Sequence, residues 1–467
     1  MGAVTNVFAL KILPAIMSLT LILNPVKDTV RNSVEWVQVY QADKAYADAE
    51  ELSQEIIALL DKEITFEYKG VTYTLDEGYA YANSMFGTED YYPIYDAIRD
   101  ASVARSTEMG ELLLERVRVQ NRYACLKGYD NYWDYVTKEK FHYDESMPKI
   151  MELIAEKMPR LLLFLIPTGP WDPKNISADF LDENDYLKFA AESYGKIDRS
   201  FQTELEELIN SGRIKLNAAL EPGVLGQCEV FPNQKPNVNF AKQNDASFAG
   251  ISVHEFGHYI HEVNQNSYND FDRFGILETH SIGGVLLQLD ELRDEFIALT
   301  GDETDASFLT LSIIWSQLGL IVNGVLEYQL MSEIYAHPEN YTAESIAQRW
   351  LEIKEGFNFN SGWSPEYRIL SGTEWIKSEN MLVDPAYNLS YALAGINAIW
   401  LLYQQETNGT GREIYTNLIK SSITDVSYVE YCTAMGLPDF TVPASYERLD
   451  DFIMGKVNKL LDDVYSE

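Results

Sequence analysis
A chain of 467 residues, 46% of them apolar, can bury a large core and has room for more than one domain. Its formal net charge of −36, from 72 acidic against 36 basic residues, leaves no basic stripe to neutralise phosphates, so nucleic acid and anionic membrane surfaces are excluded as stable partners. Three scattered cysteines, Cys125, Cys228 and Cys432, form no C-x-x-C pair, which excludes a disulfide framework and favours a reducing, cytoplasmic compartment. In chain order, the apolar run Ile12–Leu23 has the length of a signal-peptide core but is broken by Pro14 and followed by no small-x-small site. It is expected to form a buried or amphipathic helix, with secretion or membrane association as the alternative. Residues 1–63 read as an N-terminal helical region containing a helix over Ala45–Lys62, and residues 64–467 as one helical unit. The alternating runs Ile64-Phe66-Tyr68 and Val71-Tyr73-Leu75 around Lys69-Gly70 predict a hairpin. Helices are expected over Met147–Leu163 and Phe201–Ile209, then a small sheet within Gln227–Phe240 built on Val230-Phe231 and Val238. Further helices are expected over 245–263, with Asn244-Asp245 as N-cap, over 278–299, and over Thr304–Ala336. Thr342 and Thr424 are expected to cap helices Ala343–Glu355 and Asp425–Met435, and Gly356–Ser364, with Phe357, Phe359 and Trp363, to form a loop that faces either a channel or the plain surface.

Chemistry concentrates in His254-Glu255-Phe256-Gly257-His258. Residues four apart share one face of an α-helix, so His254 and His258 can hold one cation while Glu255 points to its open position. This H-E-x-x-H arrangement is that of zinc hydrolases, in which three protein ligands leave a fourth position for water. Glu278, twenty residues after His258, is the expected third ligand of a His₂Glu zinc site, one ion per chain. His280 would face away from Glu278 on a helix, and His261, three residues past His258, is expected at the site's edge, behind the ligands, or on the surface. Gly250 and Gly257 weaken the helix, which makes sense only where something packs closely against it.

Three segments in this order carry a resemblance to a known family. They are His254-Glu255-Phe256-Gly257-His258-Tyr259-Ile260-His261 with Glu278-Thr279-His280-Ser281, then Asn121-Arg122-Tyr123-Ala124 with Lys127–Tyr135, and Asp384–Ala394 with its tyrosines. Together they resemble the M3 family of zinc oligopeptidases, gluzincins of the thimet oligopeptidase superfamily, in its oligoendopeptidase F-like branch. The resemblance implies a mostly α, two-lobed helical zincin-type fold with a small β element and a deep channel. It implies a zinc metalloendopeptidase acting on short, unfolded peptides, with Glu255 as general base and acid. It further implies that Tyr391, in the tyrosine motif 384–394, hydrogen-bonds the tetrahedral intermediate; Tyr387 and His261 are expected to line the substrate site. The strand before the zinc helix is expected, by analogy with thermolysin-like enzymes, to pair with extended substrate.

Two positions depart from the family pattern. Val285 stands where relatives carry a glutamate that orients a zinc-binding histidine, and Glu379-Asn380-Met381-Leu382 stands where they carry a histidine. These departures support an alternative reading as a weak or inactive peptide-binding protein. A metallo-exopeptidase with the same zinc chemistry is a further alternative.

Overall fold
The computed structural model describes residues 38–465 apart from 142, 144, 166–182, 221–223, 232–233, 242–246, 265–273, 358–364 and 422–425. The apolar run 12–23, the Asn244-Asp245 cap, Thr424 and most of the loop 356–364 lie outside the described residues. The fold is mostly helical with two small sheets. Helix α1 (38–61) leads into the expected hairpin, β1 (Thr65–Tyr68) and β2 (Val71–Thr74), paired antiparallel with Thr65 opposite Thr74. Lys69 and Gly70 turn it with φ of 53° and 79°, the mirror-image turn that matches strand twist. Thr74 caps α2 (Leu75–Ser84) in a reciprocal box with Glu77, and the 37-residue α3 (Tyr91–Lys127) stops at left-handed Gly128. Next come α4 (Tyr132–Tyr135), continuing into a wide turn to Lys140, then α5 (Met147–Lys157), α6 (Pro159–Phe164), α7 (Glu183–Gly195) and α8 (Arg199–Asn210). The second sheet holds β3 (Ile214–Lys215), β4 (Gly226–Glu229) and β5 (Asn237–Phe240) in the order β3-β5-β4, so β4 is an outer strand.

Ten helices complete the described chain from residue 247 to 434: α9 (Ser247–Asn264), α10 (Phe274–Leu286), α11 (Leu289–Thr300), α12 (Glu303–Ala336), α13 (Ala343–Gly356), α14 (Pro365–Gly372), α15 (Glu379–Val383), α16 (Tyr387–Asn408), α17 (Gly411–Ile419) and α18 (Tyr428–Ala434). A last helix, α19 (Leu449–Tyr465), packs back on α12. Four sequence expectations need correction. The helix expected over 278–299 is two helices broken at Leu287-Gln288, and Glu278 lies inside α10 instead of at a helix start. The helix expected over Met147–Leu163 breaks at Met158, because Pro159 has no N–H to donate and keeps its predecessor out of helical geometry (φ −117°, ψ 39°). Strand β4 ends at Glu229, before Val230-Phe231, although Val238 does sit in β5. Thr342 caps α13 as expected, whereas the helix assigned to Asp425–Met435 begins at Tyr428 under Ser427, whose hydroxyl accepts from Glu430 while Glu430 accepts in return.

Apolar burial organises the bundle around α10, α12 and α16. Helix α10 packs chiefly on α16 and α9, and α12 packs on α16. Among the described residues α12 is the one helix long and apolar enough to cross a bilayer, with a mean hydropathy of 1.7 over its most apolar stretch. Most of that stretch is buried inside the protein, as expected of a core helix. A smaller core formed by Phe66, Ala82, Ile94, Tyr95, Ile98 and Leu370 stands apart under the hairpin.

The crossing of α9 over α10 depends on Gly257. A Cβ there would meet His280 O at 2.6 Å and Ser281 Cα at 2.7 Å, both backbone atoms that cannot swing aside. Tyr194 and Tyr415 brace the same crossing, donating to Val253 O and His280 O. Gly257→Ala is therefore expected to lower unfolding stability by ~2 kcal/mol through overpacking, measured by denaturant titration. A change within ~0.5 kcal/mol would show that the two helices separate freely. Glu327, 1% exposed on α12, gives a pH signature: burial pushes its pKa up to about 8, against lowering hydrogen bonds from Ala386 N–H and Asn388. Its titratable neighbours Tyr143 and Tyr335 are themselves raised by burial. Since the folded chain holds this proton more tightly than the unfolded one, the contribution is full below the ordinary glutamate value of 4.5 and is lost as pH rises through about 8. Thermal melts of Glu327→Gln are expected to fall less than those of the unaltered chain between pH 6 and pH 9.

Candidate active site
Helix α9 carries His254 and His258 one turn apart, with their rings 5.1 Å apart. Helix α10 crosses it so that Glu278 Oε2 lies 3.6 Å from Nε2 of each imidazole. One ligand atom from each of the three residues lies within 4.8 Å of the others. A tetrahedral ion with arms of ~2.1 Å separates its ligand atoms by ~3.4 Å, so this spacing suits one shared cation.

The electrostatics fit a cation as well. Burial, and then the neighbouring His258, lower the pKa of His254 to about 4; burial, and then His261, do the same for His258. Both rings are therefore neutral near pH 7, as metal ligands must be. Burial raises Glu278, against the nearby His254 and hydrogen bonds from Ser281, Tyr391 and Tyr387. Burial, and then Glu278, push Glu255 up to about 8, against a hydrogen bond from the Cys228 backbone N–H. Two carboxyls, 6% and 7% exposed, thus share a site in which no Lys or Arg among the described residues pairs with Glu278. Two neutral nitrogens and a carboxylate oxygen make up the donor set of a catalytic zinc site.

Every predicted residue can be placed. His254, Glu255, His258 and Glu278 come together, and the phenols of Tyr387 and Tyr391 on α16 both reach the Glu278 carboxyl. The two tyrosine rings meet edge to face at 5.5 Å, and burial raises both phenols above the ordinary tyrosine range, so they are donors at neutral pH. Of the places expected for His261, the surface is ruled out: it is 4% exposed, and its ring stacks on His280 at 3.8 Å. Such burial gives no support to a substrate contact by His261. Strand β4 closes on the motif, since a Cβ at Gly226 would meet Glu255 Cγ at 2.6 Å.

Sequence reasoning missed Gln317. From α12, its Oε1 lies 2.9 Å from His254 Nδ1 and accepts that N–H when Nε2 is left free for a metal. A buried glutamine inside the apolar stretch of α12 was the available signal. Val285 is buried completely, so no carboxylate reaches a histidine from that position. Asn380, where a histidine was missing, donates to Asn388 Oδ1 at 3.4 Å.

No sequence-family model matches the chain, and no curated protein sequence matches it. Solved structures do. The chain is similar to PZ peptidase A, solved with an inhibitor, at a TM-score of 0.66 and 15% identity over 91% of this chain and 80% of that one. It is also similar to oligoendopeptidase-F from Enterococcus faecium, at a TM-score of 0.59 and 13% identity over 91% of this chain and 73% of that one. At such identities the likeness establishes a shared fold.

Gln317→Leu is expected to weaken zinc binding about 10- to 100-fold, read by competition with a chromophoric chelator, because His254 loses the partner that fixes its tautomer. Gln317→Glu is expected to restore the affinity. Equal zinc affinity in all three proteins would remove Gln317 from the site.

Proposed function
We propose that this chain is a zinc-dependent metalloendopeptidase of the M3, oligoendopeptidase F-like kind, cleaving internal bonds of short, unfolded peptides. The observation that carries the reading is the meeting of His254, His258 and Glu278 donor atoms within 4.8 Å beside Glu255. The shared fold with PZ peptidase A and oligoendopeptidase-F adds to it. His254, His258 and Glu278 would hold zinc, which when bound supplies Lewis acidity toward the scissile carbonyl and acidifies the attacking water.

The chain's own groups then have distinct tasks. Glu255, steered by the Cys228 N–H, takes the proton of the attacking water and passes it to the departing amide nitrogen. Its burial favours the proton-holding state, which suits a group that must accept a proton and then give it up. Tyr391, with Tyr387 beside it, keeps its proton at neutral pH and donates to the oxygen of the tetrahedral intermediate. The outer strand β4 offers an extended peptide an edge beside Glu255. Gln317 weighs against the inactive-binder alternative: it gives His254 the hydrogen bond that the departure at Val285 would otherwise have removed.

The test is digestion of a mixed library of short peptides by the zinc-loaded chain, read by mass spectrometry. Glu255→Gln is expected to keep one zinc per chain while losing about 10³-fold in turnover. His254→Ala is expected to lose the zinc itself. Tyr391→Phe is expected to cost about 10²-fold in kcat, the usual loss for one donor to the intermediate. Internal cuts that persist with Glu255→Gln would overturn the mechanism, and cuts confined to peptide termini would make the protein an exopeptidase.

A further inference from the structure
Arg116 and Glu327 are among the ionisable side chains buried outside the metal cluster, and the proposed chemistry uses neither. Arg116, in the middle of α3, is 2% exposed. Its guanidinium donates to Ser53 Oγ at 2.8 Å, Leu382 O at 2.8 Å and Val383 O at 2.5 Å, with no carboxylate paired to it among the described residues. Glu327, on α12, accepts the Ala386 N–H on Oε1 at 2.9 Å and a hydrogen bond from Asn388, while Oε2 has no partner among the described residues. Arg116 and Glu327 come from different helices, and both seize the strap 382–386, the last two residues of α15 and its link to α16. The first residue after that strap is Tyr387.

The strap needs holding. Ala386 is fully buried with φ +70°, a left-handed conformation that a side chain disfavours, and no side-chain cap of its own secures the start of α16. Its N–H, free at a helix start, is satisfied by Glu327 instead. Tyr387 and Tyr391 lie four residues apart on one face of α16, so any shift of its first turn moves both phenols together relative to Glu278. Burying an arginine without a carboxylate and a glutamate without a cation is a poor way to gain stability, since apolar residues of similar shape do as well or better.

We propose that Glu327 and Arg116 are positioning residues: they fix the strap 382–386 and through it aim the Tyr387 and Tyr391 phenols at the metal cluster. The inference rests on the hydrolase reading above and adds to it the groups that set the geometry of the donors. Asn388 and Asn380 extend the same network, Asn388 donating to Ser378 Oγ at 3.2 Å, and Lys140 pairs with Asp384 of the strap at 2.5 Å.

The test is steady-state cleavage of a quenched-fluorescent short peptide by the full, zinc-loaded chain. Glu327→Met is expected to lower kcat about 10²-fold, the cost of a misplaced catalytic group, with KM changed less than about threefold and zinc still at one per chain. Glu327→Gln, whose amide oxygen still accepts the Ala386 N–H, is expected to restore kcat to within a few-fold. The deciding readout is a double-mutant cycle. Once Tyr391→Phe and Tyr387→Phe have removed both phenols, adding Glu327→Met is expected to cost less than about threefold more. A fully multiplicative loss in that background, or an unchanged kcat in folded Glu327→Met, would overturn the proposal. Should Glu327→Met fail to fold, Glu327→Asp keeps a carboxyl but withdraws it from Ala386, and the same kcat loss and non-additivity are expected of it. An unaltered chain that binds zinc yet cuts no peptide would overturn the hydrolase reading and this inference with it, whereas an active chain indifferent to Glu327 and Arg116 overturns this inference alone.

Discussion
Two carboxyls and two imidazoles share one buried site at the crossing of α9 and α10, and the desolvation of these four groups is the constraint to which the rest of the molecule answers. Burial strips protons from the histidines and favours protons on the glutamates, so the site holds good neutral nitrogen donors beside carboxyls that lack a cationic partner. A divalent ion relieves both conditions at once. The glycine at 257 brings the backbones close enough for the four groups to meet, and Gly226 lets β4 close on Glu255.

The groups around that site come from rigid elements instead of loops. Helices α9 and α10 give the donors, α12 gives Gln317, α16 gives the two phenols, and β4 gives the backbone N–H that steers Glu255. Placement on packed helices is what holds such groups to the fraction of an ångström that chemistry demands. The long apolar helix α12 joins the two halves of this design, reaching His254 near its middle and the tyrosine strap ten residues later. Gln317 and Glu327, two of its buried polar residues, are the ones that make these contacts.

The two departures from the family pattern look different once the side chains are in place. Val285 is ordinary core, and His254 Nδ1 instead meets Gln317 on another helix at 2.9 Å. Asn380 joins Asn388 and Ser378 in a network that braces the start of α16.

Much of the local structure was legible because it depends on neighbours in sequence. The hairpin turn at Lys69-Gly70, the cap at Thr342, the long helix of Thr304–Ala336 and the pairing of His254 with His258 all follow from backbone preference and helical period. Glu278 was also legible, through the spacing of a known zinc motif, although the helix assigned to it was drawn too long and started too late. Where reading failed, a specific local signal was overlooked: Pro159 broke one helix, and Ser427 with Glu430 caps another. What the tertiary structure alone decided is which distant residues meet. The burial of His261 against His280, the reach of Gln317 to His254, and the grip of Arg116 and Glu327 on residues 382–386 join positions up to 267 residues apart. No period or cap encodes such contacts, because they arise only when helices pack and their buried polar groups must find partners.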